Sequence, residues 1–103
     1  MIGDLFSKLQ EARQKIEESK KKLNNVIVES NIENGAIIIN ANANKVLTSI
    51  EISDDFLKTK SKEELQEKLL KAINRALEDA AQKGEVEMKE ITKGMLPNFP
   101  GLV

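Results

Sequence analysis

The stretch from Ser61 to Lys93 reads as one helix, and at 1.5 Å per residue it reaches about 45–50 Å. Ser61 followed by Glu64 has the form of a capping box at its start. Leu70, Ile73, Leu77, Ala80, Gly84, Met88 and Ile91 then recur at helical spacing. In the first half Leu65, Leu69 and Ala76 widen this stripe, as suits a helix lying on a sheet. Beyond Gly84 it narrows to a seam, as suits a helix with a single neighbour. The strand-forming runs at 26–32, 36–42 and 45–53 are short, spanning about 23 Å each. A sheet of that size cannot cover the helix, so the distal half is expected to project.

Those three runs specify a meander. Asn34-Gly35 predicts a type I′ hairpin, because that turn needs positive φ at both central residues, and Asn42-Ala43-Asn44 marks a second turn. With Asn34-Gly35 as the first loop, Ile32 faces Ile37, Ser30 faces Ile39 and Val28 faces Ala41. With Ala43-Asn44 as the second, Ala41 meets Val46, Ile39 meets Thr48 and Ile37 meets Ile50. One face then gathers Val26, Val28, Ile32, Ile37, Ile39, Ala41, Val46, Ile50 and Ile52. The other carries Glu29, Asn31, Glu33, Asn40, Ser49 and Glu51, with Ile27, Ile38 and Leu47 among them. A charged connector after Asp54-Asp55-Phe56-Leu57 leads to the long helix. Asp54 and Asp55, without a partner base or a Gly-rich phosphate loop, read as a turn or helix-entry device. Gly94 is a C-cap candidate, and Pro97 and Pro100 prevent further helix.

Ahead of the meander lies a helix from near Asp4 to about Leu23, broken by Asn24 and Asn25. Leu5, Leu9, Ala12, Ile16, Ser19 and Leu23 alternate by four and three, forming one narrow seam. Arg13 and Lys20 flank it on one side, and Lys8, Lys15 and Lys22 on the other. Asp4, Glu11, Glu17 and Glu18 collect on the far side. The helix is the natural partner for the overhang of the long one, giving a β platform with a two-helix arm. Basic shoulders of this kind suit phosphate contact. They also suit an ordinary seam, whose apolar surface is covered by Lys and Arg stems.

Composition removes whole classes of function. The 103 residues carry Lys+Arg 16 against Asp+Glu 17, so net charge does not advertise a nucleic-acid partner. Without Cys or His there is no disulfide, no thiolate nucleophile, no zinc thiolate site and no imidazole base. No cofactor, metal site, small-molecule substrate or enzymatic activity is expected. The three Phe are too few for stacking on single strands, and no recognition-helix motif, zinc finger or basic zipper is evident. No apolar run serves as a signal or membrane segment, which points to the cytoplasm.

Element order and several motifs together resemble the YbaB/EbfC family of nucleoid-associated DNA-binding proteins. The matching pieces are the amphipathic helix through Gln10 and Lys22, the hairpin Asn34-Gly35-Ala36, and Ile50-Glu51-Ile52-Ser53-Asp54-Asp55-Phe56-Leu57. Leu69-Leu70-Lys71-Ala72-Ile73-Asn74-Arg75-Ala76 and the ending Gly94-Met95-Leu96-Pro97-Asn98-Phe99-Pro100-Gly101 complete the likeness. Three features depart from the family pattern: a short N-terminal lead, no proline after Ser53-Asp54-Asp55, and an acidic second helix. The resemblance implies an α+β homodimer shaped like tweezers, a single domain over 1–103. Its parts are a first helix (1–24), a β meander with connector (25–60), a second helix (61–94) and a loose tail (95–103). It also implies binding of double-stranded DNA in the nucleoid, mainly by backbone electrostatics, with a role in nucleoid organisation or regulation of expression. The expected DNA contacts are Lys8, Arg13, Lys15, Lys20, Lys21 and Lys22, joined by Lys83 and Lys89 from the second helix. There, interleaved Glu85, Glu87 and Glu90 compete for the lysines. The alternative is a dimeric protein-interaction adaptor or chaperone-like clamp without DNA binding, which the near-neutral charge also suits.

Overall fold

A computed structural model describes residues 2–93. In chain order the elements are α1 (Ile2–Leu23), β1 (Ile27–Ile32), β2 (Ile37–Asn42), β3 (Leu47–Ile52), α2 (Asp54–Thr59) and α3 (Lys62–Thr92). The strands form one antiparallel sheet in the order β1-β2-β3, so the architecture is the expected α+β meander between two long helices. Gly94, the two prolines and the rest of the tail lie outside the described residues.

The first hairpin has the anticipated register, with Ile32 opposite Ile37, Ser30 opposite Ile39 and Val28 opposite Ala41. Asn34 and Gly35 take φ of 54° and 89°, as a type I′ turn requires, and Glu33 before them is also left-handed at 54°. The second hairpin corrects the expected register. Its loop is Ala43-Asn44-Lys45, closed by the Asn42 N–H donating to the Val46 carbonyl at 2.8 Å, with Lys45 at φ 64°. The Asn42 side-chain oxygen accepts from the N–H groups of Asn44 at 2.9 Å and Val46 at 3.2 Å, an Asx turn that holds the longer loop. Thr48 then bulges out, because Ala41 pairs with Leu47 and Asn40 with Ser49. The loop and the bulge each advance the register by one residue, so Ile39 meets Ile50 and Ile37 meets Ile52. The longer loop exchanges two side chains before the bulge restores the alternation: Leu47 packs against the core and Val46 is exposed, the reverse of the sequence expectation.

The connector begins with a short helix, and of the two readings offered for Asp54 and Asp55, turn or helix entry, the structure has helix entry. Ser53 caps it, accepting the Phe56 N–H at 3.1 Å, while Asp54 and Asp55 face the positive end of its dipole. Its one turn and a half delivers Phe56 into the core. Ser61 caps α3 in the same way, accepting the Glu64 N–H at 3.1 Å.

Ile32, Ile37, Ile39 and Ala41 from the sheet meet Phe56, Ala72, Ala76 and Ala80 to form the core, with Leu65, Leu69 and Ile73 packed beside them. The buried row of α3 is thus small residues at every fourth position, ending at Gly84, which brings the helix axis close to the sheet. Leu70, placed on the stripe by spacing, is 62% exposed. It lies two residues before Ala72, nearly opposite on the helix. Ile50 is also exposed, because α3 lies over β1 and β2 and leaves β3 uncovered. The molecule measures 68 × 25 × 18 Å with a radius of gyration of 19.4 Å. A compact chain of this length would have about 13 Å. The elongation is that of helices longer than the sheet beneath them.

Candidate nucleic-acid interface

The candidate interface is α1, and its geometry is set by how the helix is held. The last turn of an α-helix leaves carbonyls without partners; here the β2–β3 turn supplies them. The Asn44 side-chain amide donates to the Lys20 carbonyl and to the Asn24 side-chain oxygen, both at 2.7 Å. The Ala43 N–H donates to the Leu23 carbonyl at 3.2 Å and to the Val26 carbonyl at 2.9 Å. Ala43 also meets α3, since a Cβ added to Gly84 would stand 2.5 Å from the Ala43 carbonyl oxygen. The corner at Ala43 therefore joins α1, α3 and the sheet.

Away from that corner the seam opens. Leu23 and Ser19 are buried, Ile16 and Ala12 half-buried, and Leu5 and Leu9 are 62% and 60% exposed. Ser19 satisfies its buried hydroxyl by donating to the Lys15 carbonyl at 2.6 Å. On α3, Met88, Ile91 and Thr92 are half-buried beyond Gly84, in keeping with the narrow contact between the two helices. So α1 is anchored at its C-terminal end and projects at the other, where the seam residues Leu5 and Leu9, with Phe6 beside them, face solvent.

Lys8, Arg13, Lys15, Lys20, Lys21 and Lys22 are all exposed. Lys8, Lys15 and Lys22 recur every seven residues, so their Cα atoms follow one edge of the seam at intervals of about 10 Å. Lys20, Lys21 and Lys22 also sit in the last turn of α1, where cations oppose the negative end of the dipole. Those three lysines thus have a structural role beside any role in binding. Lys83 and Lys89 are exposed on α3, but the Lys83 ammonium lies 3.4 Å from the Glu87 carboxylate. The competition expected from the acidic residues of α3 is thereby realised at Lys83, and the structure separates the committed cation there from the row on α1. Among the described residues no group of three or more His, Cys, Asp or Glu side chains could hold a metal ion. No helix of the described chain is long and apolar enough to cross a membrane.

The fold and this arm define a class: small α+β proteins in which a three-stranded antiparallel sheet lies between two long helices, one of them exposed and charged. The chain belongs to the YbaB/EbfC DNA-binding family, whose model matches residues 1–95. A nucleoid-associated protein of Flavobacterium johnsoniae is 33% identical over 98 residues, covering 95% of this chain and 91% of the relative. A nucleoid-associated protein of Thermoanaerobacter pseudethanolicus is 33% identical over 101 residues, 98% of this chain and 89% of its own length. Among solved structures, an uncharacterised protein of Helicobacter pylori superposes with a TM-score of 0.61 at 23% identity, over 85% of this chain and 98% of that one. That likeness concerns the fold.

Proposed function

We propose that this protein binds double-stranded DNA as a homodimer, chiefly through the phosphate backbone, and so acts in nucleoid organisation or in regulating expression. The observation that carries the reading is the row of exposed cations on a helix that, among the described residues, is anchored at its C-terminal end. Basic side chains on such an arm displace counterions from phosphates, which yields affinity with little sequence preference. A net charge of −1 is no obstacle, because Asp4, Glu11, Glu17 and Glu18 occupy the far side of the seam. Pairing of two copies is supported by the apolar residues one copy leaves in water, among them Ile50, Leu57 and Leu70. Two arms double the cationic row.

The test is a duplex titration at several salt concentrations with wild type and with the K8E/R13E/K15E/K22E variant. Wild-type affinity falls steeply with salt. The variant loses binding while sedimenting like wild type, and each phosphate contact removed lowers the salt slope by about 0.9. A variant that binds like wild type sinks the proposal. One observation favours the interaction-module reading instead: Leu5, Phe6 and Leu9 form an exposed apolar tip. If binding to DNA is absent at low salt and L5S/F6S/L9S abolishes a protein contact, that reading takes its place.

A further inference from the structure

At the opposite end of α3 from the arm, the β1–β2 turn and the helix enclose an open cleft of about 510 Å³. Glu33, Asn34 and Gly35 bound it on one side, and Lys71 and Arg75 on the other, with Asn31 beside them. Within the turn the Ala36 N–H donates to the Glu33 carbonyl at 3.2 Å. Among the described residues the N–H groups of Asn34 and Gly35 donate to nothing. The left-handed backbone of Glu33, Asn34 and Gly35 thus leaves two consecutive amides uncommitted.

The charges of the cleft are divided in the same way. Glu33 is its one carboxylate, and it is occupied by the Lys68 ammonium at 2.9 Å. Hydrogen bonding to Lys68, and the nearby charges of Lys68, Lys60 and Lys71, hold its carboxyl below the usual range. Lys71 and Arg75, one turn apart on an exposed face of α3, make no ion pair among the described residues, although Glu67, Glu78 and Asp79 lie within helical reach. With Glu33 and Lys68 cancelling, the cleft keeps two cations and two free amides. A guanidinium fork, an ammonium and adjacent backbone N–H groups are the donors that suit a tetrahedral oxyanion.

We infer that this cleft is a second anion site, taking one phosphate group between Lys71, Arg75 and the amides of Asn34 and Gly35. Its source is a phosphodiester of the duplex, in which respect the inference rests on the DNA-binding reading. Lys71 precedes Gly84 by thirteen residues, so along α3 the cleft stands about 20 Å from the base of the arm. A duplex held by the arm and touched here would be gripped at two separated points, fixing its direction over the platform as well as its affinity.

The test follows the backbone amide resonances of the intact chain by NMR, for wild type, K71Q/R75Q and the α1 quadruple variant. Each is titrated with inorganic phosphate at constant ionic strength, and separately with a short duplex. Phosphate moves the Asn34 and Gly35 amides in wild type and in the α1 variant, and leaves them still in K71Q/R75Q. The duplex moves the same amides in wild type, and K71Q/R75Q weakens its binding roughly three- to tenfold while lowering the salt slope by about 0.9 for each cleft that holds a phosphate. If phosphate acts and the duplex does not, the cleft is a free-phosphate site and the duplex assignment is overturned. Asn34 and Gly35 amides that ignore both probes, or that respond equally in K71Q/R75Q, overturn the site itself. Failure of the arm reading shows separately, as an α1 variant that binds duplex like wild type.

Discussion

Gly84 offers a perturbation whose sign is decided by one distance. In an exposed helix interior, Gly→Ala stabilises by about 1 kcal/mol, because alanine has less backbone freedom to lose. At Gly84 the new Cβ would stand 2.5 Å from the Ala43 carbonyl oxygen, well inside van der Waals contact. The obstacle is backbone, in a turn held by Asn42 and tied to α1 through Asn44. It cannot swing aside as a side chain would. Overpacking of this kind costs about 1–3 kcal/mol, so after the propensity gain G84A is expected to lose roughly 1 kcal/mol, and G84V more. For a chain of this size 1 kcal/mol corresponds to about 4–8 °C in melting temperature. Thermal unfolding followed by circular dichroism at one fixed protein concentration reads this directly. Gly3, whose added Cβ meets nothing within 4 Å, serves as the control, and G3A should be neutral or slightly stabilising. A G84A protein that melts several degrees above wild type would refute the claim that α3, the sheet corner and the α1 anchor meet at that point.

Further outcomes follow from other contacts. F56A should cost about 3–5 kcal/mol in chemical denaturation, since Phe56 is buried among the sheet and α3 residues. S30A should be neutral or stabilise by up to about 1 kcal/mol, because the Ser30 hydroxyl is buried without a partner among the described residues and its removal leaves nothing unsatisfied there. N44A removes two hydrogen bonds at the α1 anchor and should accelerate hydrogen exchange in the last turn of α1 before it affects the sheet. The pair Glu33–Lys68 gives a pH signature. The lowered carboxyl contributes stability above 4.5, lost as pH falls through its folded value. The raised ammonium contributes below 10.5, lost as pH rises through its folded value. E33Q should therefore flatten the acid limb of stability against pH, slightly and less so in high salt, because the pair is exposed.

The sequence made some of these features legible because each is local. Asn34-Gly35 determines the first register through backbone φ alone, and Ser61 with Glu64 marks the start of α3 by a hydrogen bond three residues long. The second hairpin was not legible, since its loop is selected by an Asn42 side chain bonding two backbone amides and its strand by a bulge at Thr48. Hydrophobic alternation cannot reveal the two-residue shift beyond the bulge, because from Ser49 onward it restores each side chain to its face, and only Val46 and Leu47 change places. Leu70 misled because large apolar residues weigh most in a periodicity, whereas α3 packs through alanines. Of short α2 only the entry at Asp54 and Asp55 was legible, as one of two readings, although Ser53 holds the same capping geometry toward Phe56 as Ser61 does toward Glu64. For the arm, charge sorting on α1 was visible in the residues, but only the burial gradient from Leu23 to Leu5 shows which end is fixed.

That gradient makes α1 a lever. A rotation of about 10° at the Leu23 anchor would move Lys8, some 22 Å away, by about 4 Å, yet displace Lys22 by well under 1 Å. Under such a rotation, charges near the corner would keep their spacing relative to the platform, while those toward the tip would swing with the rod. A single rigid helix thus combines a charge that such a rotation would hold fixed with one that it would move, and the ratio between them is set by nothing more than position along the rod.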